Sequence, residues 1–148
     1  MIDSFSGENA FLSNFCDALT DYEGITYMSS EAAFQAAKTL NITERRRIAK
    51  MTPSEAKKAG RNLKLRPDWE EVKDRVMYDV CLAKFGMDRP YIRRTLLATG
   101  DKELVEGNTW HDNYWGNCIC DKCKNIPGRN QLGKTLMKLR EDIREGRV

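Results

Sequence analysis

DWEEVKDRVMYDVCLAKFG, residues 68–86, decides the fold class. Trp69, Val72, Val76, Val80 and Ala83 recur at the three- and four-residue steps that place side chains on one helical face, and Gly86 supplies a stop. This is the longest helix expected in the chain, with Asp68 and Glu71 placed to form a capping box at its start. Working backward, Thr52-Pro53-Ser54-Glu55 is a second capping box with proline at the first helical position, and Gly60 ends that helix. Working forward, Asp88 is positioned to cap a helix through Ile92, Leu96 and Leu97 to Gly100. Leu132, Leu136, Leu139 and Ile143 then stripe a last helix, with Gly146 beyond its end. Short strand candidates are Ile2–Phe5, Gly24–Met28 and Leu104–Glu106. The expectation is an α+β chain, mainly helical, with a small antiparallel sheet in one domain over residues 1–148.

The bulk numbers agree. The length of 148 residues suffices for one domain with its own core, and 41% hydrophobic with 32% charged residues is a globular composition without a membrane-spanning run. Met1-Ile2-Asp3 lacks the basic and apolar regions of a signal peptide, so a cytoplasmic location without membrane association is expected. The five cysteines are odd in number, and three crowd into Cys118, Cys120 and Cys123, which argues for reduced thiols over a disulfide framework. Residues 44–66 hold nine Lys or Arg against Glu44 and Glu55, a local charge of +7 that leaves −4 for the remainder of a chain of net +3. That asymmetry suits either a phosphate-bearing partner or two solvated amphipathic helices.

Two segments concentrate chemistry. His111-Asp112-Asn113-Tyr114-Trp115-Gly116, followed by Gly128-Arg129-Asn130-Gln131-Leu132-Gly133, mixes aromatic planes, a carboxylate, an imidazole and glycines where no periodicity requires them. Ser29-Ser30-Glu31 opens an apparent helix that runs on to Lys38, so Glu31, Gln35 and Lys38 fall at i, i+4 and i+7 on one face. Spacing alone also fits a solvated polar stripe with Glu31 at the positive end of a helix dipole.

Phe11-Leu12-Ser13-Asn14-Phe15, Ser30-Glu31 with Phe34-Gln35-Ala36 and Lys38, Arg66-Pro67-Asp68-Trp69, Asp112 with Trp115-Gly116, and Asn130-Gln131-Leu132-Gly133-Lys134 run in this order over nearly the whole chain. In that combination the sequence resembles the NADAR family, the YbiA-like N-glycosidases. The resemblance implies hydrolysis of the bond between a ribose C1′ and a base amino group. The preferred substrate is ADP-ribosylated guanine in nucleic acid, with a phosphorylated ribosylamino-pyrimidine of riboflavin synthesis as the alternative small molecule. A non-catalytic ADP-ribose or nucleotide-binding module is the alternative class.

The resemblance implies Glu31 as general acid/base and Asp112 as the base that orients the sugar; apart from it, Asp112 reads as an Asx-type loop brace. Lys38 is then either a covalent participant, attacking an opened ribose as a desolvated amine, or a phosphate clamp. Trp115, with Tyr114 behind it, is the stacking platform, and Trp69 is a second aromatic candidate. Asn14, Gln35 and Asn130 are candidates to read polar edges, Asn130 being equally placed as a helix N-cap. Gly116 and Gly133 offer backbone approach, Gly133 by letting the last helix present N–H groups to a phosphate. His111 shares acid/base work with Asp112, ligates a metal or sits in the loop. Cys118-x-Cys120-x-x-Cys123 has the short spacing of a structural zinc site, with His111, Cys16 and Cys81 as candidates for a fourth ligand. No cofactor is required by the resemblance.

Overall fold

A computed structural model describes residues 1–148. The chain forms two compact units, Asn14–Pro90 and a second built from Met1–Ser13 with Tyr91–Val148. The architecture is the expected α+β, mainly helical type.

In the first unit, strands β1 (Thr20–Tyr22) and β2 (Ile25–Tyr27) pair antiparallel, Thr20 opposite Tyr27, through a tight turn at Glu23-Gly24 where both residues have positive φ. Helices α1 (Ser30–Ala36), α2 (Ile42–Ile48), α3 (Pro53–Gly60) and α4 (Trp69–Lys84) follow. All seven residues of α1 are buried, and it packs against α2, α3 and α4. That burial explains its alanines: Ala32, Ala33 and Ala36 let neighbouring backbones approach where larger side chains would hold them apart. The α3 capping box forms as expected, Thr52 and Glu55 exchanging side-chain and backbone bonds.

The capping box expected at Asp68 does not form. Its carboxylate is taken instead by the Arg66 guanidinium, Nε to Oδ1 at 2.6 Å, and makes no cap bond. α4 is nonetheless the longest helix. Trp69, Val76, Met77, Val80 and Cys81 form its buried face, with the Trp69 ring tilted against Phe34 at 5.2 Å between centroids. Tyr27 and Thr20 complete this core from the hairpin.

The second unit contains a 3₁₀ turn at Gly7–Leu12, α5 (Pro90–Ala98), the two-residue parallel strands β3 (Gly107–Asn108) and β4 (Asn117–Cys118), and α6 (Gln131–Arg144). The expected strands at Ile2–Phe5 and Leu104–Glu106 reduce to one parallel bridge, Ile2 to Leu104. α5 starts on Pro90, too late for Asp88 to cap it. α6 buries Leu132, Leu136, Leu139 and Ile143 as its stripe predicts, and Gly146 takes the left-handed turn after its end, φ +74°. No helix is long and apolar enough to cross a membrane.

Candidate active site

The first cluster sits on α1. Ser29 caps the helix by accepting the Ala32 N–H at 3.0 Å. Asn14 anchors the same end: its carbonyl accepts the Glu31 N–H at 3.1 Å, its side-chain oxygen accepts the Ser30 hydroxyl at 2.9 Å, and its amide donates to the Met77 sulfur. Asn14 is therefore buried in holding the helix start.

Glu31 is only 8% exposed. Its Oε1 accepts the Gln35 amide at 2.9 Å, the i, i+4 contact that the spacing predicts. The other side of that amide is the missed feature: Gln35 Oε1 is buried without a hydrogen-bond partner. It lies against Gly60, where a Cβ would stand 1.8 Å from it. Gly60 therefore makes room for Gln35 as well as ending α3.

Lys38 does not lie on the helix. α1 ends at Ala36, and Lys38 follows on a turn closed by its own N–H to the Gln35 carbonyl at 3.1 Å. Arg66 fixes that turn, its backbone N–H donating to the Lys38 carbonyl at 2.8 Å while its guanidinium, held by Asp68, reaches the Ala37 carbonyl. Arg66 is thus a positioning residue that charge counting alone does not find. Burial pulls the Lys38 ammonium below the ordinary lysine value; the Glu31 charge opposes the shift, and Arg61 and Lys57 add to it. Lys38, Lys57 and Arg61 therefore share one electrostatic neighbourhood.

The basic segment is less available than its count suggests. Arg45 is buried and paired with Glu23 at 2.9 Å, Arg47 pairs with Glu44, and Arg66 with Asp68.

The second cluster is the loop from Asn108 to Asn130. Asn108, which is buried, brackets Asp112 from both sides, its Oδ1 accepting the Asp112 N–H and its Nδ2 donating to the Asp112 carbonyl at 2.8 Å. Asp112 Oδ1 then accepts the N–H groups of Tyr114 at 3.1 Å and Trp115 at 2.9 Å, an Asx-type brace that aims the aromatic pair. The Trp115 and Tyr114 rings meet edge-on at 4.8 Å, and the Arg129 guanidinium lies over Tyr114 at 4.6 Å. Trp115 is half-buried, as a stacking platform needs.

Several expected ligand contacts are spent inside the loop. Gly116 gives way to the Glu106 carbonyl, which a Cβ would meet at 2.2 Å. The Asn130 side chain accepts the Glu106 N–H and donates to the Leu104 carbonyl, so it braces the backbone and makes no cap bond. Gly133 likewise admits the Leu104 carbonyl, 2.1 Å from a would-be Cβ. The opening N–H groups of α6, from Gln131 and Leu132, donate to the Tyr114 and Trp115 carbonyls. These features correct the phosphate role read into Gly133. Trp69 is buried in the α4 core and is likewise a packing residue.

His111 is exposed, with a left-handed φ of +69°. Its Nδ1 lies 3.4 Å from Cys120 Sγ, 3.5 Å from Cys123 Sγ and 3.9 Å from Cys118 Sγ. Of the three candidates for a fourth ligand, His111 is the one beside the cysteine cluster, and Cys81 is a buried α4 residue.

The NADAR domain model matches residues 4–144. N-glycosidase YbiA of Escherichia coli K12 is 38% identical over 143 residues, covering 95% of this chain and 85% of the relative. N-glycosidase Npun_R5314 of Nostoc punctiforme is 46% identical over 98 residues, 65% of this chain and 58% of the relative. Riboflavin biosynthesis protein VVA0006 of Vibrio vulnificus is 31% identical over 140 residues, which are 93% of this chain and 36% of that longer protein. The NMR structure of E. coli YbiA superimposes with a TM-score of 0.80 at 35% identity, covering 99% of this chain and 89% of that one. The chain belongs to the NADAR family.

Proposed function

We infer that this chain is a hydrolase acting on N-glycosyl bonds, an N-glycosidase, and that its substrate is a phosphate-bearing N-riboside. The observation that carries the reading is the α1 cluster. There a buried carboxylate, a buried amide oxygen lacking a donor and a half-buried lysine of lowered proton affinity adjoin further cations.

Cleavage of a ribose C1′–N bond needs a proton on the departing nitrogen, stabilisation of positive charge at C1′ and an activated water. Glu31 is assigned the proton transfers: as acid it protonates the leaving amine, and as base it takes the proton of the water that adds to C1′. Asp112 is assigned to orient the sugar, and Trp115 to stack on the base. The unpartnered Gln35 oxygen fits a substrate hydroxyl or amine that donates to it. Lys38, with Lys57 and Arg61, supplies the charge that phosphates require. If the ribose opens, the Lys38 amine instead attacks C1′, expels the base amine and forms a Schiff base that water hydrolyses.

The preferred substrate is ADP-ribosylated guanine, whose diphosphate suits Lys38, a lysine that feels the charges of Arg61 and Lys57. A ribosylamino-pyrimidine phosphate is the second reading, favoured by the name of the V. vulnificus relative. Parallel assays of the purified chain on both compounds, following release of the base amine, separate them. Turnover of ADP-ribosylated guanosine alone supports the first reading, turnover of the pyrimidine alone the second, and cleavage of neither overturns both.

A further inference from the structure

We propose that His111, Cys118, Cys120 and Cys123 hold a structural zinc ion that clamps the loop carrying Asp112, Tyr114 and Trp115. The four ligand atoms all lie within 4.8 Å of one another. For tetrahedral zinc, with Zn–S near 2.3 Å and Zn–N near 2.0–2.1 Å, the N···S edges are about 3.6 Å long. The observed edges from Nδ1 are 3.4, 3.5 and 3.9 Å. Hydrogen bonding does not account for this convergence. A neutral imidazole nitrogen carries either one lone pair or one proton and serves one sulfur, whereas here three sulfurs surround it. A shared cation satisfies all four at once.

The surroundings supply the reason for such a clamp. Residues 119–130 contain neither helix nor strand, and the segment exposes Ile119 and Ile126, so it has little apolar anchorage of its own. Cys123 within it and Cys118 just before it are the exception, both being buried. The ligands are presented by local backbone: Asn113 holds the Cys118 N–H at 2.8 Å, a turn joins Cys123 N–H to the Cys120 carbonyl at 3.0 Å, and His111 takes the left-handed conformation that turns the chain before Asp112. Four protein ligands close the coordination sphere, which makes the site structural and leaves no position for water or substrate. Because His111 directly precedes Asp112, the ion ties the Asx brace to the cysteine turn.

The test is independent of the substrate assignment, because it reads metal and thiols and not turnover. Protein purified from zinc-supplemented medium is expected to carry stoichiometric zinc by elemental mass spectrometry. Cobalt(II) exchanged into it is expected to show tetrahedral ligand-field and thiolate charge-transfer bands. Chelation should expose Cys118, Cys120 and Cys123 to alkylation and lower the Tm. Cys120 is half-buried and His111 exposed, so Cys120→Ser and His111→Ala can be compared as folded proteins: the first should lose stoichiometric zinc, the second should shift the cobalt bands and weaken zinc retention. Zinc-free protein that yields no cobalt–thiolate bands overturns the proposal. So does zinc retained unchanged in both variants, or a disulfide among the three cysteines in freshly prepared protein.

Discussion

The α1 segment and the loop from Asn108 to Asn130 carry the same kinds of side chain, a carboxylate with neighbouring polar and aromatic groups, yet they position them by different physics. α1 is placed by burial: all of its residues are inside, alanines bring it against three helices, and Gly60 makes room for its glutamine. The loop is placed by polar cross-links. Asn108, Asp112, Asn113, Asn117 and Asn130 each bond backbone groups, and glycines admit carbonyls at distances that no side chain tolerates. A helix resting on a core changes geometry only when packing changes, whereas a loop held by individual hydrogen bonds loses its shape one bond at a time.

The largest effect expected on this contrast is at Lys38. Lys38→Arg retains the charge on a turn whose backbone Arg66 already holds, so folding and phosphate attraction should survive. If the amine is covalent, turnover should vanish and borohydride should trap a ribose adduct on the wild-type lysine. An active arginine variant with no adduct assigns Lys38 to the phosphates.

Lys84 tests how strictly the α4 core excludes water. It is 1% exposed, and burial pushes its ammonium down to about 8, the neighbouring Cys16 and Cys81 opposing the shift. Below pH 8 both folded and unfolded lysine are protonated and the burial cost is constant. Between pH 8 and the unfolded value of 10.5 the unfolded chain holds more protons, so this group makes stability rise with pH. The contribution is about 3 kcal/mol in total, from 1.36 kcal/mol per pH unit. Denaturant titrations of wild type and Lys84→Met at pH 7 and pH 10 should differ by most of that rise, since pH 10 lies just short of the unfolded value; equal pH responses would show that Lys84 is hydrated.

Asp112 separates brace from chemistry. Asp112→Asn keeps an oxygen for the Tyr114 and Trp115 N–H groups, so the loop should hold while activity falls. Asp112→Ala removes the acceptor as well and should cost a further 1.5–3 kcal/mol or so of local stability, read by hydrogen exchange at those amides. Full activity in the asparagine variant would confine Asp112 to the brace. Smallest is Gly60→Ala, where a methyl group meets the Gln35 amide. We expect a loss of about 1–3 kcal/mol in stability with reduced turnover, and an unchanged Tm would mean that Gln35 moves aside freely.

Legibility in the sequence followed the same divide. The helical stripes of α4 and α6 and the α3 capping box were readable because burial and capping act locally, through period and short spacing. The Glu31–Gln35 contact was readable for the same reason. The end of α1 before Lys38 was not, since Arg66, far along the chain, claims the last carbonyls of that turn. Gly116, Gly133 and Asn130 read as ligand contacts because glycine and asparagine have the same local signature whether they face a substrate or a distant carbonyl. Only the positions of Leu104 and Glu106 distinguish the two. His111 could not be chosen as the partner of the cysteines because the turn that returns Cys118 to it has no periodic pattern.

Glu31 is proposed as the proton-transfer group of an N-glycosidase, and Glu31→Gln tests that role most directly. The substitution preserves shape and a hydrogen-bonding partner for Gln35, so the Tm should stay close to wild type. The rate of base-amine release from the N-riboside that wild type cleaves should fall by roughly 10²–10⁴-fold. A folded Gln variant that releases the amine at the wild-type rate would contradict the assignment.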